Sequence, residues 1–263
     1  MKASRNRLLD RIYASLYERA RYFVQQCDVQ RLLKSQAISE PWLDSYEFLA
    51  TLASVRAILN KVPPVLVDIG AHRGCFARAA ERVLGFERII CIEPDAELLD
   101  DLRANVPKQK TIIRQLALAE VEGTADLFIH EDRSMNSLLE ADVGVLDAKF
   151  PTYRHDSIYR RKVNITTLDL LLSEEGLLDG PGLFLKLDTQ GNELSILQAS
   201  KHALRSTHAC LVEFMFCTPY SQGYNFHQFI DFLHSVGLNC RGALNIYRRP
   251  SHEVSGVDFM FTR

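Results

Sequence analysis

The chain has 263 residues, of which 47% are hydrophobic and 24% are charged, and its formal net charge is −2. This length suits one large α/β domain with or without a helical appendage, and the near-neutral charge gives no overall attraction to nucleic acid. The six cysteines form no C-x-x-C pair or zinc-type spacing, no apolar run reaches about 18 residues, and the N-terminus lacks the apolar core of a secretory signal. We therefore expect a cytoplasmic protein without structural disulfides, structural zinc or a membrane span.

The first 60 residues predict a helical N-terminal extension. Within residues 1–24 apolar side chains recur every three or four positions, and the opposite face of this helix is basic. Such a helix can make peripheral contact with an anionic membrane surface, but more often it packs on the neighbouring domain or on a second subunit, as in a homo-oligomer. We favour packing. A further helix is predicted over residues 43–59, and Pro63-Pro64 ends it before the first strand.

Residues 61–263 predict a single domain in which strands and helices alternate, which indicates a mostly parallel sheet with helices on both faces. The predicted strands are 64–69, 88–93, 111–118, 125–129, 163–166, 182–187, 209–215, 240–248 and 257–262. The predicted helices are 74–84, 95–105, 168–172, 193–204 and 226–236. The last two strands are separated by a short turn around Pro250, so we expect an antiparallel C-terminal hairpin.

A glycine turn follows the first predicted strand and is the most informative segment of the chain. Asp68 ends the strand, and Gly70 and Gly74 complete a D-x-G-x-x-x-G pattern. Glycine permits positive φ and the close approach of a ligand to the backbone. The second strand ends in Glu93, where a carboxylate can accept two hydrogen bonds from a ribose diol. The spacing predicts an adenosine-containing cofactor.

The residues of this turn discriminate between cofactors. A nicotinamide dinucleotide needs G-x-G-x-x-G, but His72 occupies the position of the second glycine, and Asp68 would repel a phosphate. S-adenosylmethionine has a ribose and no phosphate, and its ammonium and sulfonium groups are positively charged. We therefore expect S-adenosylmethionine. An NAD-dependent oxidoreductase on the same fold and a tight turn without a ligand stay open as alternatives.

Carboxylates stand at the ends of several predicted strands, where ligands bind in open α/β sheets. They are Asp68, Glu93, Asp188 and Glu213. Lys186 lies two residues before Asp188 and therefore leaves the strand on the same face. Since an ammonium within an apolar strand needs a carboxylate partner, we expect Lys186 to pair with Asp188 and Glu213.

Six segments occur in a characteristic order: VDIGAHRGCF, IEPDAELL, SMNSLL, ITTLDLLL, FLKLDTQGNELSIL and LVEFMFCTPYSQG. Over about residues 64–262 the chain thus resembles the FkbM family of S-adenosylmethionine-dependent methyltransferases. The resemblance implies a Rossmann-like class I methyltransferase fold with a seven-stranded sheet, and O-methylation of a hydroxyl on a sugar, glycolipid or natural product. The chain departs from the family's usual residues at His72, where asparagine is usual, and at Thr189-Gln190, where valine-glutamate is usual.

The resemblance also implies roles for individual residues. Asp68, Gly70 and Gly74 would line the methionine part of the cofactor, Glu93 would hold the ribose, and the segment 134–138 would cover the cofactor or the acceptor, although its serines could instead cap a turn. The complete predicted cofactor site comprises Asp68, Gly70, Ala71, His72, Gly74, Glu93, Pro94, Ser137 and Leu138.

An acceptor hydroxyl must be aligned with the methyl group and must lose its proton. The predicted catalytic residues are Asp188, Lys186 and Glu213, with Asp188 as the base or base-orienting residue and His72 and Tyr220 as lesser candidates. No metal is assigned, although Asp188, Glu193 and Glu213 could together hold a divalent cation. Glu193 could equally well serve the first turn of its own helix.

The acceptor is expected to be a small molecule or a glycan rather than a nucleic acid. Its pocket would include the loop over residues 130–162, whose shape the sequence does not give. Two other functions stay open: methylation of nitrogen instead of oxygen, and a catalytically idle methyltransferase fold that acts as an interaction module.

Overall fold

The structure is a computed structural model that describes residues 46–142, 159–216, 220, 224–248 and 252–263. The basic helix predicted over residues 1–24 and its membrane or subunit contacts lie outside the described residues, as does most of the loop before β6. No helix among the described residues is long and apolar enough to cross a membrane.

Seven α-helices and ten β-strands are present in the described part of the chain. The helices are α1 (Tyr46–Ile58), α2 (Cys75–Leu84), α3 (Leu99–Asn105), α4 (Leu168–Glu174), α5 (Glu193–Ala199), α6 (Ala203–Ser206) and α7 (Phe226–Ser235). The strands are β1 (Val65–Ile69), β2 (Arg88–Ile92), β3 (Thr111–Arg114), β4 (Ala117–Leu118), β5 (Gly123–Ile129), β6 (Tyr159–Thr166), β7 (Leu183–Leu187), β8 (Thr207–Met215), β9 (Asn239–Arg248) and β10 (Val254–Thr262). Short 3-10 helices cover Ala96–Leu98 and Arg133–Met135.

The main sheet has seven strands in the order β3-β2-β1-β7-β8-β10-β9. The first five run parallel, and β10 is antiparallel to both of its neighbours, β8 and β9. This confirms the predicted α/β fold, a Rossmann-like class I methyltransferase fold that ends in an antiparallel hairpin. The chain moves outward from β1 to β3 and returns at β7, so the strand order reverses between β1 and β7. A crevice at the carboxyl ends of those two strands is where such a sheet binds ligands.

A second sheet of three strands, in the order β4-β6-β5, lies outside the main sheet. Here the prediction of one strand over residues 111–118 is wrong, because β3 pairs with β2 in the main sheet while β4 pairs with β6 in the small one. Arg114 and Gln115 interrupt the apolar residues of this segment, but so short a polar pair also occurs within a single strand and does not reveal that the chain changes partner. The helix predicted over residues 193–204 is likewise divided, into α5 and α6.

Successive side chains of the central strands point to opposite faces of the sheet, and the core therefore has two layers. Val65, Val67 and Ile69 of β1 face the layer that contains α4 to α7, whereas Leu66 faces the layer with α1, α2 and α3. Asp68 follows the alternation of Leu66 and therefore lies on the side of α2. Helix α1 contributes buried Leu49, Leu52 and Val55 to that layer, which ties residues 46–58 to the sheet domain. A domain division at residue 60 stays a prediction.

Candidate cofactor and active site

The turn after β1 has the backbone conformation that its glycines predicted. Gly70 and Gly74 both have φ of 77°, and His72 has φ of 49° although it carries a side chain. The N–H groups of Gly70 and Ala71 donate to the carbonyl of Ile92 at 3.1 and 3.0 Å. The turn is therefore fastened to the end of β2, which brings it next to Glu93.

The two glycines are required by packing within the protein. A Cβ on Gly70 would overlap the backbone carbonyl of Asp188, and a Cβ on Gly74 would lie 2.7 Å from Leu102 and 2.8 Å from Val106. Gly70 thus allows β1 and β7 to approach at their carboxyl ends, and Gly74 allows α2 to pack near α3. The space that a Cβ would take at each glycine is occupied by other protein atoms, so these glycines do not by themselves make room for a ligand.

Glu93 is held by backbone donors at the tip of β2. Its Oε2 accepts the N–H of His72 at 2.8 Å, and its Oε1 accepts the N–H of Asp95 at 2.9 Å. The residue is 4% exposed, and burial raises the pKa of its carboxyl to about 7. Each carboxylate oxygen can accept two hydrogen bonds. Both oxygens therefore keep one acceptor position, which is what a ribose diol requires.

A cavity of about 360 Å³ opens beside these residues, a size typical of small-molecule sites. Seven of the nine predicted cofactor residues line it: Gly70, Ala71, His72, Glu93, Pro94, Ser137 and Leu138. Asp68 and Gly74 do not, because Asp68 is completely buried beneath the turn and Gly74 faces α3. Sequence reasoning missed several lining residues, among them Phe48, Phe76, Arg133, Thr189 and Asn192.

Lys186 connects β7 to the glycine turn. Its Nζ donates to the carbonyl of Gly70 at 2.9 Å and lies 3.4 Å from Oδ1 of Asp68 and 3.3 Å from Oδ2 of Asp188. Burial alone would lower the pKa of Lys186, but the two carboxylates outweigh it and raise that pKa. Lys186 is therefore a permanent cation. Its ion-pair partners are Asp68 and Asp188, so the expected direct pairing with Glu213 was wrong.

Asp68 and Asp188 have different environments. Burial raises the pKa of Asp68 to about 6 in spite of Lys186. Asp188 lines the cavity with 37% of its side chain exposed. Burial acts to raise its pKa, but Lys186 and hydrogen bonds from Glu213 and Gln190 hold it below the usual value. Asp188 is therefore the ionised carboxylate that reaches the cavity.

Glu213 lies behind Asp188, outside the cavity lining. The Nε2 of Gln190, a residue with φ of 58°, donates to Oδ1 of Asp188 and to Oε2 of Glu213, both at 2.9 Å. Burial and the neighbouring Asp188 raise the pKa of Glu213 well above its usual value. Asp258 is opposite Glu213 on β10 and accepts a hydrogen bond from Tyr247 at 3.1 Å. Sequence gave no sign of Asp258, because it lies in the middle of a strand.

Glu193 caps the turn that precedes α5. Its carboxylate accepts the N–H groups of Thr189 and Gly191 at 2.7 and 3.0 Å and the hydroxyl of Tyr224 at 2.8 Å. Its oxygens are thus occupied by the protein. Across the described ranges, no group of three or more His, Cys, Asp or Glu residues could hold a metal ion. The alternative of a cation shared with Glu193 has no support in this geometry.

The segment 133–138 lies along the cavity, and it includes residues 134–138, which the resemblance placed over the cofactor or the acceptor. Ser137 is buried and its Oγ donates to the carbonyl of Gln190 at 2.9 Å. Ser134 does not cap a turn; Asp132 does, by accepting the N–H and the hydroxyl of Ser134 at 3.0 and 2.7 Å. Tyr220 donates its hydroxyl to the carbonyl of Met135 at 3.1 Å, and burial raises its pKa, so the hydroxyl keeps its proton and does not serve as a base.

His72 lines the cavity, and burial lowers the pKa of its imidazole. Its buried Nε2 has no hydrogen-bond partner among the described residues. The side chain is therefore neutral and carries a nitrogen that a bound molecule could reach as a hydrogen-bond partner.

Residues 68–240 match the family model described as the Methyltransferase FkbM domain. Among curated protein sequences none is significantly similar to the chain.

Several solved structures are similar to the chain at low identity. A fibrillarin/Nop5p complex matches with a TM-score of 0.47 and 11% identity, over 86% of this chain and 87% of that chain. Precorrin-6y C5,15-methyltransferase from Geobacter metallireducens matches with a TM-score of 0.42 and 13% identity, over 86% and 92%. The 1,6-didemethyltoxoflavin-N1-methyltransferase from Burkholderia thailandensis, solved with S-adenosylhomocysteine, matches with a TM-score of 0.43 and 9% identity, over 94% and 89%. These likenesses are too distant to bear on the reaction.

Proposed function

The chain belongs to the FkbM methyltransferase family, and we propose that it transfers the methyl group of S-adenosylmethionine to a hydroxyl of a sugar, glycolipid or natural-product acceptor. The observation that carries this proposal is the cavity that Glu93 and Asp188 line together. Glu93 offers two free acceptor positions at the tip of β2, and Asp188 offers an ionised carboxylate at the tip of β7, on the other side of β1. Glu93 could accept hydrogen bonds from a ribose diol, and Asp188 could accept one from an acceptor hydroxyl.

The residues present fit S-adenosylmethionine on physical grounds. Glu93 would accept hydrogen bonds from the ribose hydroxyls, while Gly70, Ala71 and His72 would pass beneath the methionine part. Asp68 would not contact the cofactor; from beneath the turn it would hold Lys186, which in turn bonds the carbonyl of Gly70. When bound, the cofactor supplies a methyl group on a sulfonium, which is already a good leaving group.

The protein's own contribution is alignment and proton acceptance. Alignment of the acceptor oxygen can contribute roughly 7–11 kcal/mol to the lowering of the barrier. As the new carbon–oxygen bond forms, the attacking oxygen becomes strongly acidic, so a carboxylate of low pKa suffices to take its proton. Asp188 would accept that proton, Lys186 would hold Asp188 in place, and Glu213 would fix it from behind through Gln190. The neutral imidazole of His72 would orient the hydroxyl.

Binding of the cofactor product tests the first half of the proposal. We expect S-adenosylhomocysteine to bind wild-type protein in a calorimetric titration, and Glu93→Gln to weaken binding about tenfold or more, because the amide places a donor against a backbone N–H. Glu87→Gln is a matched control, since Glu87 is exposed and directly precedes β2, at the opposite end of that strand from Glu93. No binding to folded wild-type protein would overturn the proposal, and NAD would then be titrated.

Turnover of a labelled methyl donor tests the second half. Candidate acceptors are sugars, hydroxylated lipids, amines and oligonucleotides, each with and without EDTA. With a hydroxyl acceptor we expect Asp188→Asn to lower kcat by about 100-fold or more while the Kd for S-adenosylhomocysteine stays within about threefold. Turnover of amines that Asp188→Asn leaves unchanged would favour N-methylation. Binding without turnover of any acceptor would favour an idle interaction module.

A further inference from the structure

A carboxylate that plays no part in the scheme above lies directly beside the proposed ribose site. The side chain of Asp95 is completely buried. Its Oδ1 accepts the N–H of Glu97 at 3.1 Å and Nη1 of Arg161 at 3.0 Å, and its Oδ2 accepts Nη1 of Arg133 at 2.9 Å and Nδ2 of Asn136 at 3.0 Å. Two donors reach each oxygen, so all four acceptor positions of the carboxylate are used.

The donors come from three separate parts of the chain. The N–H of Glu97 belongs to the 3-10 turn after β2, Arg161 belongs to β6 of the small sheet, and Arg133 and Asn136 belong to the segment 133–138. Asp95 is thus the point at which the tip of the main sheet, the small sheet and this segment are joined.

The segment 133–138 is a wall of the cavity and has an anchor at each side. On the side of β2, Asn136 donates to Asp95, and on the side of β7, Ser137 donates to the carbonyl of Gln190. The anchors are the adjacent residues Asn136 and Ser137, and the segment contributes Arg133, Ser134, Asn136, Ser137 and Leu138 to the cavity lining. It therefore spans the cavity from the tip of β2 to the tip of β7.

The backbone of Asp95 acts on the same site as its side chain. Its N–H donates to Oε1 of Glu93 at 2.9 Å, which is one of the two bonds that orient that carboxylate. One residue thus fixes both Glu93 and the wall opposite it.

We propose that Asp95 is a positioning residue for the cofactor: its buried carboxylate holds the segment 133–138 over the adenosine part, in register with Glu93. The inference rests on the proposed function, because it takes the cavity as the cofactor site. The partner network also explains why Asp95 rather than Glu97 has this role. Glu97 pairs with Arg133 and Arg161 at 2.5 Å, but its side chain is 50% exposed and it reaches neither Asn136 nor Glu93. Exposed ion pairs contribute little, whereas loss of one partner of a buried pair is strongly disruptive.

The test compares Asp95→Asn with Glu97→Gln, which removes the same charge from the same two arginines. We expect Asp95→Asn to weaken S-adenosylhomocysteine binding about tenfold or more at a temperature well below its Tm, and to speed amide hydrogen exchange in residues 133–138. Glu97→Gln should change the Kd less than about twofold. A structural role alone would lower Tm without moving the Kd of the folded protein. Equal binding by Asp95→Asn and wild type, or equal loss in both variants, would overturn the proposal.

A second variant covers the case in which Asp95→Asn does not fold. Asn136→Ala removes the amide that joins the segment to Asp95 and leaves both arginines paired. It should likewise weaken binding and speed exchange in residues 133–138, and wild-type values for both would overturn the proposal. If wild-type protein itself fails to bind S-adenosylhomocysteine, the proposed function is wrong. Hydrogen exchange would still decide whether Asp95 orders this segment.

Discussion

The ammonium of Lys186 lies 3.4 Å from Oδ1 of Asp68, a carboxylate with no exposed surface, and the two residues are paired across β1 and β7. This ion pair sits where the strand order of the sheet reverses, directly beneath the cavity. Because Lys186 also donates to the carbonyl of Gly70, the pair connects the core of the sheet to the glycine turn. The site therefore depends on a charge pair whose carboxylate lies buried beneath the turn, while its cation, Lys186, also lines the cavity.

We expect Lys186→Met to lower the free energy of unfolding by about 3–5 kcal/mol, because it leaves the buried carboxylate of Asp68 without its cation. The measurement is urea denaturation at pH 8, where Asp68 would be ionised. The double variant Asp68→Asn with Lys186→Met should recover at least half of the loss, since removal of a whole buried pair is often nearly neutral. A loss below about 1 kcal/mol in the single variant would show that the pair does not support the fold.

Gly70 and Gly85 have nearly the same backbone conformation, with φ of 77° and 75°, but different surroundings. A Cβ on Gly70 would overlap the carbonyl of Asp188, whereas nothing lies within 4 Å of a Cβ on Gly85. We expect Gly70→Ala to cost about 3 kcal/mol or more in unfolding free energy and Gly85→Ala about 1 kcal/mol, the cost of positive φ alone. Thermal unfolding of both variants measures the difference. Equal costs would contradict a steric role for Gly70.

The parts of the fold that the sequence predicted correctly are those encoded locally. Apolar runs predicted β1, β2 and β7, and the glycines at 70 and 74 predicted the turn and its positive φ. The number of strands in the main sheet followed from the resemblance, because the six motifs occur in the order of a known fold. The observed ends of helices and strands, by contrast, differ from the predicted ends by one to four residues, because helix capping and strand pairing determine where each element ends.

What the sequence could not give depends on contacts between distant segments. The division of residues 111–118 between two sheets is set by pairing with β2 and β6, which leaves no local trace. Besides Asp188, Lys186 pairs with Asp68 of β1 rather than with Glu213 of β8, because Asp68 is directly opposite Lys186 in the strand register and Glu213 is not. Phe48 reaches the cavity from outside the segment that matches the family, so no motif pointed to it.

Phe48 provides a test of whether α1 completes the cofactor site. It lines the cavity and stacks edge to face with Phe76, with 5.8 Å between the ring centroids. We expect Phe48→Ala to weaken S-adenosylhomocysteine binding about tenfold, because it removes apolar surface from the wall. Phe216→Ala, at an aromatic side chain that is 45% exposed and outside the cavity lining, is the matched control and should leave the Kd unchanged. The readout is calorimetric titration of both variants, and a wild-type Kd for Phe48→Ala would remove this residue from the site.

Asp258 should make stability depend on pH. Burial, followed by the charge of Asp188, raises the pKa of Asp258 from about 3.8 to about 7. The folded protein therefore keeps a proton that the unfolded chain releases, and this group makes the free energy of unfolding fall as pH rises from about 4 to 7. Asp258→Asn should remove about 2 kcal/mol of that fall, while its amide oxygen still accepts from Tyr247. Denaturation at pH 5 and pH 8 measures the change, with Asp100→Asn, a side chain 97% exposed, as the control. If wild type and Asp258→Asn lose the same stability between these pH values, the buried carboxyl does not hold its proton in the folded protein.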